Sequence, residues 1–293
     1  MRDQFSRFTI FGAGLVLALS ISATRLQAEN TPPGQQGQAC GTPSSIEDGW
    51  EIASPGNVGM DGARLCTIAA RLGQRSTAVH SVVVVRHGKL VFEQYFAGYD
   101  QPWGQAEGQY EFTATTKHDM RSASKSVTSL LVGIAIDRRL IAGVDEPVVK
   151  FFSDYAAVKQ TGWDAVTLRH LLTMSSGITW DEARAWTDPK NDEPHLVTEP
   201  DPLGYVLSRP VAAPPDTLWT YNGGGTELLG NIVERVSGKP LEAFAREALF
   251  QPLDITDVEW KPYRNGKIAA ASGLRLRPRD AAKLSQLVLN RGQ

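Results

Sequence analysis

Apolar and polar positions follow several distinct rhythms along the chain. Residues 81–86 read Ser-Val-Val-Val-Val-Arg, and residues 89–96 read Lys-Leu-Val-Phe-Glu-Gln-Tyr-Phe, with His87-Gly88 between them. Two β-branched and aromatic runs about a glycine-containing turn predict a β-hairpin. Within 123–136, Val127, Leu130, Leu131 and Ile134 fall at helical spacing, and apolar residues fill most of the circumference. That pattern predicts a buried central helix. Further helices are expected at about 61–73, 167–174, 226–236, 241–249 and 278–290, the third closed by Gly238 and Pro240. Residues 97–117 and 180–215, interrupted by Gly, Pro and Asp, are expected to be irregular. Early strands followed by many helices suggest an α+β layering rather than alternating βαβ units.

The N-terminal stretch has a different logic. Arg2 and Arg7 precede or flank a polar start, residues 8–21 are almost wholly apolar, and Leu26-Gln27-Ala28 supplies small-residue cleavage chemistry. The apolar run is shorter than the ~20 residues of a membrane-spanning helix. Residues 1–28 are therefore expected to be a signal peptide. The mature protein would be periplasmic or secreted, with no membrane association beyond export. Residues 29–48, rich in Gln, Gly, Pro and Ser, are expected to form a flexible lead-in, and 49–293 a single domain.

Composition narrows the function. The net charge of −2 leaves no basic footprint for nucleic acid. The five histidines, His80, His87, His118, His170 and His195, form no zinc spacing, so neither a metal nor another cofactor is expected. No Gly-x-Ser-x-Gly elbow occurs. Gly223-Gly-Gly225 lacks the Lys-Ser/Thr of a phosphate loop. The two cysteines, Cys40 and Cys66, have two readings: export would allow them to pair, and the helix expected around Cys66 also suits a buried thiol.

The candidate chemistry begins with Ser122-Ala-Ser-Lys125. Residues three apart on a helix share a face, with Cβ atoms roughly 5–6 Å apart. A lysine placed there accepts the serine proton when it is neutral, and burial favours its neutral form. The start of a helix also directs free N–H groups at developing negative charge. This is the only Ser-x-x-Lys in the chain, and it opens the most apolar helix after the leader. A second element is Trp219-Thr-Tyr221-Asn-Gly-Gly-Gly225, where a tyrosine precedes a backbone able to approach a ligand closely. A nearby ammonium would make that tyrosine a proton shuttle, with a core tyrosine as the other reading. Asn222, Gly223 and Trp180 are the candidates for contacting substrate, Trp180 being equally suited to the core. Asp181-Glu182 reads as a solvated loop pair.

Ser122-x-x-Lys125, then Leu171-Leu-Thr-Met-Ser-Ser-Gly177, then Pro215-Asp-Thr-Leu-Trp-Thr-Tyr221-Asn, resembles the class C β-lactamase and penicillin-binding-protein-like serine hydrolases. That group includes β-lactamase-related esterases, D-alanyl-D-alanine carboxypeptidases and 6-aminohexanoate-dimer hydrolases. The resemblance covers about residues 48–293. It implies a β-lactamase/transpeptidase-like fold, with an antiparallel sheet flanked by helices and a helical subdomain. It implies that Ser122 attacks a small-molecule acyl substrate, that Lys125 and Tyr221 handle protons, and that a covalent acyl-enzyme is hydrolysed. A cell-wall D,D-peptidase or β-lactamase, and a non-catalytic fragment that only binds ligand, are the alternatives. The family's Tyr-x-Asn is altered here, because Asn222 adjoins the tyrosine and Gly223 takes the third place. The family's late Lys/His-Ser/Thr-Gly motif does not follow Tyr221. A C-terminally truncated domain lacking its last strands is therefore expected.

Overall fold

The computed structural model describes residues 40–74, 78–103 and 105–293. The expected signal peptide and the first part of the lead-in lie outside the described residues.

In chain order the regular elements are α1 (Gly62–Gly73), β1 (Ser81–Arg86), β2 (Lys89–Tyr95), β3 (Gly98–Asp100), β4 (Gly108–Tyr110), β5 (His118–Asp119) and α2 (Ser124–Asp137). After these come α3 (Leu168–Leu172), α4 (Asp192–Thr198), α5 (Pro202–Leu207), α6 (Gly223–Ser237), α7 (Leu241–Ala245), β6 (Glu259–Trp260), β7 (Leu274–Leu276) and α8 (Pro278–Leu289). Every strand pair is antiparallel: β1 with β2, β3 with β4, and β7 between β5 and β6. The expected hairpin is present. His87 and Gly88 turn it with φ of 52° and 75°, the left-handed pair that matches strand twist. Helix α8 packs on β1, and α1 packs on β2 around Ala69, Val91 and Phe92.

The main core lies between α2 and α6. Leu131, Val132 and Ala135 of α2 are buried with Leu228, Leu229, Ile232 and Val233 of α6. The segments carrying Trp163, Val206, Phe244 and Leu274 close over them. As the pattern indicated, α2 is the central buried helix.

Three expectations change. Residues 180–215 hold two helices where loop was expected. Asn191 caps α4 by accepting the Glu193 N–H at 2.9 Å, and Asp201 caps α5 by accepting that of Gly204 at 3.1 Å, with Pro202 in the first turn. The Asn, Asp and Pro that read as loop signals are helix-start residues here. Residues 98–110 likewise contain the short pair β3–β4. The third change is at α6, which begins at Gly223 rather than 226, because Asn222 accepts the Gly225 N–H at 2.9 Å. The glycines are there for space: a Cβ on Gly224 would stand 2.6 Å from the Trp180 ring and 2.8 Å from Val206.

The described part of the lead-in is anchored. Cys40 and Cys66 form a disulfide with a Cα separation of 5.9 Å, the carbonyl of Gly41 accepts the Glu93 N–H, and Asp48 is buried. Asp48 and Glu93 converge on Arg279 of α8, whose guanidinium is fully buried. It donates to Glu93 at 2.7 and 2.5 Å, to Asp48 at 3.2 Å and to the Ser44 carbonyl at 2.8 Å.

Candidate active site

Ser122 stands in a 3-10 turn, Arg121–Ala123, that leads into α2. Both flanks of this turn are fixed by one residue of β7: the Met120 N–H donates to the Leu274 carbonyl at 2.8 Å, and the Leu274 N–H donates to Ser124 Oγ at 3.2 Å. Arg121, immediately before Ser122, has φ of 46°, a left-handed backbone that a non-glycine residue keeps only when its surroundings enforce it. Its guanidinium donates to the Gln101 carbonyl at 2.8 Å and lies 3.5 Å from Asp119. The result is an exposed Ser122 on a backbone held from both sides.

Lys125 is half-buried one turn further on. Its Nζ is 3.2 Å from Ser122 Oγ and 3.2 Å from the Ala271 carbonyl, and it lies 5.0 Å from the centre of the Tyr221 ring. The geometry thus brings together Ser122, Lys125 and Tyr221, from two segments about a hundred residues apart.

Tyr221 is delivered by two sequence motifs that brace each other. The Thr220 N–H donates to the Met174 carbonyl at 2.9 Å, and the Asp216 N–H to that of Ser175 at 2.8 Å. Asp216 accepts from Ser175 Oγ at 2.7 Å and stands 3.2 Å from His170 Nε2. At Gly177, φ is 71°, and a Cβ would fall 2.0 Å from the Ala213 carbonyl oxygen. Only glycine fits there.

The expected substrate contacts take different places. Asn222 caps α6 with its carbonyl oxygen, while its amide nitrogen is buried without a hydrogen-bond partner among the described residues. Gly223 donates its N–H to Glu182 at 3.0 Å. Trp180, at 5% exposure, takes the core alternative, and its indole N–H donates to the same Glu182 oxygen at 2.8 Å. Glu182 is therefore not a solvated loop residue: it ties Trp180 to the first turn of α6. Nearby Glu193 on α4 is half-buried, and burial, then the charge of Glu182, raise its pKa above the ordinary carboxylate value.

The sequence reading also passed over Glu227, inside α6 and only 5% exposed. One carboxylate oxygen accepts from Tyr263 Oη at 2.6 Å and the Ala271 N–H at 2.8 Å; the other accepts from the Ala270 N–H at 3.1 Å. Burial pushes its pKa up to about 7, against the opposing pull of these donors and of the Lys125 charge. The available signal was a charged residue on the apolar face of a helix.

The β-lactamase family model matches residues 67–291. The chain belongs to the β-lactamase family. Among relatives, it is 33% identical over 135 residues to the lovastatin esterase of Penicillium rubens, covering 43% of this chain and 32% of that enzyme. It is 26% identical over 186 residues to esterase EstB of Burkholderia gladioli, covering 60% and 45%. The chain thus spans between a third and a half of the length of these curated relatives. Among solved structures, the penicillin-binding protein homologue of Pyrococcus abyssi superposes with a TM-score of 0.59 at 23% identity, covering 80% of this chain and 57% of the other. That likeness shows the β-lactamase/transpeptidase-like fold.

Proposed function

We propose that this β-lactamase family member is an exported serine hydrolase acting on esters or small amides through an acyl-enzyme. Ser122 Oγ attacks the substrate carbonyl carbon and gives its proton to Lys125 Nζ. The tetrahedral intermediate collapses, its leaving group takes up a proton relayed from Lys125 through Tyr221, and the acyl group stays on Ser122. A water molecule then attacks the acyl carbon and passes a proton through Tyr221 to Lys125; the bond from the acyl carbon to Ser122 Oγ breaks, Lys125 returns that proton to Oγ, and the acid is released.

The observation that carries this reading is the placement of Lys125 Nζ, 3.2 Å from both Ser122 Oγ and the Ala271 carbonyl. A neutral amine held by one N–H to Ala271 can turn its lone pair toward the serine. The buried amide of Asn222 beside Tyr221, which has no partner among the described residues, supports a polar substrate contact there. The relatives named as esterases favour esters over β-lactams, as does the displacement of the family's asparagine. The Cys40–Cys66 disulfide supports an oxidising compartment, periplasmic or extracellular.

A fluorophosphonate probe tests the reading. Labelling of the folded chain at Ser122, located by peptide mass spectrometry and lost in Ser122→Ala, is expected. No labelling, or equal labelling of the variant, refutes it. Tyr221→Phe should lower the kcat for a 4-nitrophenyl ester by roughly 10²–10⁴-fold, the range for a positioned proton carrier.

A further inference from the structure

We propose that Glu227 is a positioning residue of the Ser122–Lys125 centre, clamping the Ala270–Ala271 main chain so that the Ala271 carbonyl holds Lys125. This inference rests on the acyl-serine reading above.

The chain of contacts is short and buried. Glu227 accepts both the Ala270 and Ala271 N–H groups, at 3.1 and 2.8 Å. The Ala270 carbonyl accepts from Thr128 Oγ1 at 2.9 Å, which ties the same segment to α2 less than one turn beyond Lys125. With its N–H groups held by α6 and one carbonyl held by α2, the peptide at Ala271 has little freedom left. Its remaining carbonyl faces Lys125 Nζ at 3.2 Å. Tyr263 Oη, donating to Glu227 at 2.6 Å, fixes the carboxylate in turn.

A glutamate is an expensive way to hold two N–H groups in a core, since burying a carboxylate disfavours its charged form. Its anion does something that an apolar packing residue cannot: it shares a field with the lysine. Lys125 is among the charges that favour the anion of Glu227. The other titratable and charged groups lining the same cavity as Glu227 are Tyr155 before α3, Asp201 before α5, Tyr263 and Lys267 after β6, and Glu234 on its own helix, with Glu193 on α4 acting on Tyr263. Of these, Tyr263 bonds the carboxylate directly.

The test uses the full chain, a fluorophosphonate probe and a 4-nitrophenyl ester. Glu227→Gln keeps the shape but turns an acceptor oxygen into a donor, so the clamp loses an N–H contact. Losing a buried hydrogen-bond partner costs at least ~1 kcal/mol, so kcat at pH 7 should fall by about fivefold or more with KM little changed. The acid limb of the kcat/KM profile should move to lower pH, because the Glu227 carboxyl, which takes up a proton near pH 7 and then holds the main chain less well, is no longer there to titrate. Tyr263→Phe should lower kcat by less and move the acid limb to higher pH, because Glu227 loses a donor that holds its proton affinity down.

Normal rates and an unmoved acid limb in both variants, with labelled and active wild type, would overturn the role of Glu227 alone. A slower variant with an unmoved limb shows packing only, and also overturns it. Should Glu227→Gln not fold by circular dichroism, Tyr263→Phe decides by the same two readouts. Failure of the wild type itself to label refutes the acyl-serine reading instead, so the two failures are distinct.

Discussion

Replacing Arg279 by Leu should be strongly destabilising, far from the candidate centre. The guanidinium is fully buried and makes two hydrogen bonds to Glu93, one to Asp48 and one to the Ser44 carbonyl. Leucine fills much of the volume but leaves two carboxylates, 8% and 5% exposed, facing each other without a cation. Breaking a buried ion pair by removing one partner costs about 3–5 kcal/mol. At roughly 2–4 °C per kcal/mol for a domain of this size, the melting temperature should fall by roughly 6–20 °C. Urea denaturation followed by circular dichroism at pH 7 and a thermal melt measure the loss. Adding Glu93→Gln should recover part of the loss by removing one stranded charge. A loss under about 1 kcal/mol at pH 7, or no recovery in the double variant, would refute the argument that the triad is held by its charges.

Gly224→Ala should destabilise by about 1–3 kcal/mol, since its Cβ would stand 2.6 Å from the Trp180 ring; thermal melts check this, and wild-type stability would show that the ring moves aside freely. Reducing the Cys40–Cys66 disulfide, which spans 26 residues, should lower stability by about 3.5 kcal/mol on the chain-entropy model, read as a melting shift with and without reductant. Glu227, with a folded pKa of about 7 against an unfolded value near 4.5, contributes stability present below about pH 4.5 and lost as pH rises through 7. Relative to Glu227→Gln, the wild type should therefore lose about 3 kcal/mol between pH 4 and pH 8 in urea titrations. Parallel curves for the two proteins would contradict it.

What could be read from the residues was what repeats locally. The α2 core positions follow a helical period, so the central helix was legible, and the Ser-x-x-Lys spacing put Ser122 and Lys125 on one face. The ordered motifs around Ser175 and Tyr221 indicated which tyrosine would join them. Local signals misled where one residue type serves two purposes. Asn191, Asp201 and Pro202 start helices, yet the same residues punctuate loops. Glu182, read as half of a solvated loop pair, and Glu227, passed over, have a different reason. Glu227 takes its donors from Tyr263, Ala270 and Ala271, 36 to 44 residues away, and Glu182 binds Gly223, 41 residues away. Nothing in the neighbouring sequence marks a carboxylate as the anchor of a distant main chain. The pairing of Cys40 with Cys66 is of the same kind, because it depends on a Cα separation that only the fold sets.

The way Ser122 is held has a consequence for how the protein comes into being. Ser122 and Lys125 are three residues apart, but what fixes them is not near them. Lys125 leans on Ala271, 146 residues later, and Ser124 is held by Leu274, 150 residues later. Such distant contacts form late in folding, after the loop-closure entropy between them has been overcome. A nascent or unfolded chain therefore carries Ser122 as an ordinary serine, with no positioned base beside it. On the proposed chemistry, reactivity arrives with the docking of the 269–274 segment onto α2. The rate at which refolding protein becomes susceptible to an acylating probe would then report that docking step directly.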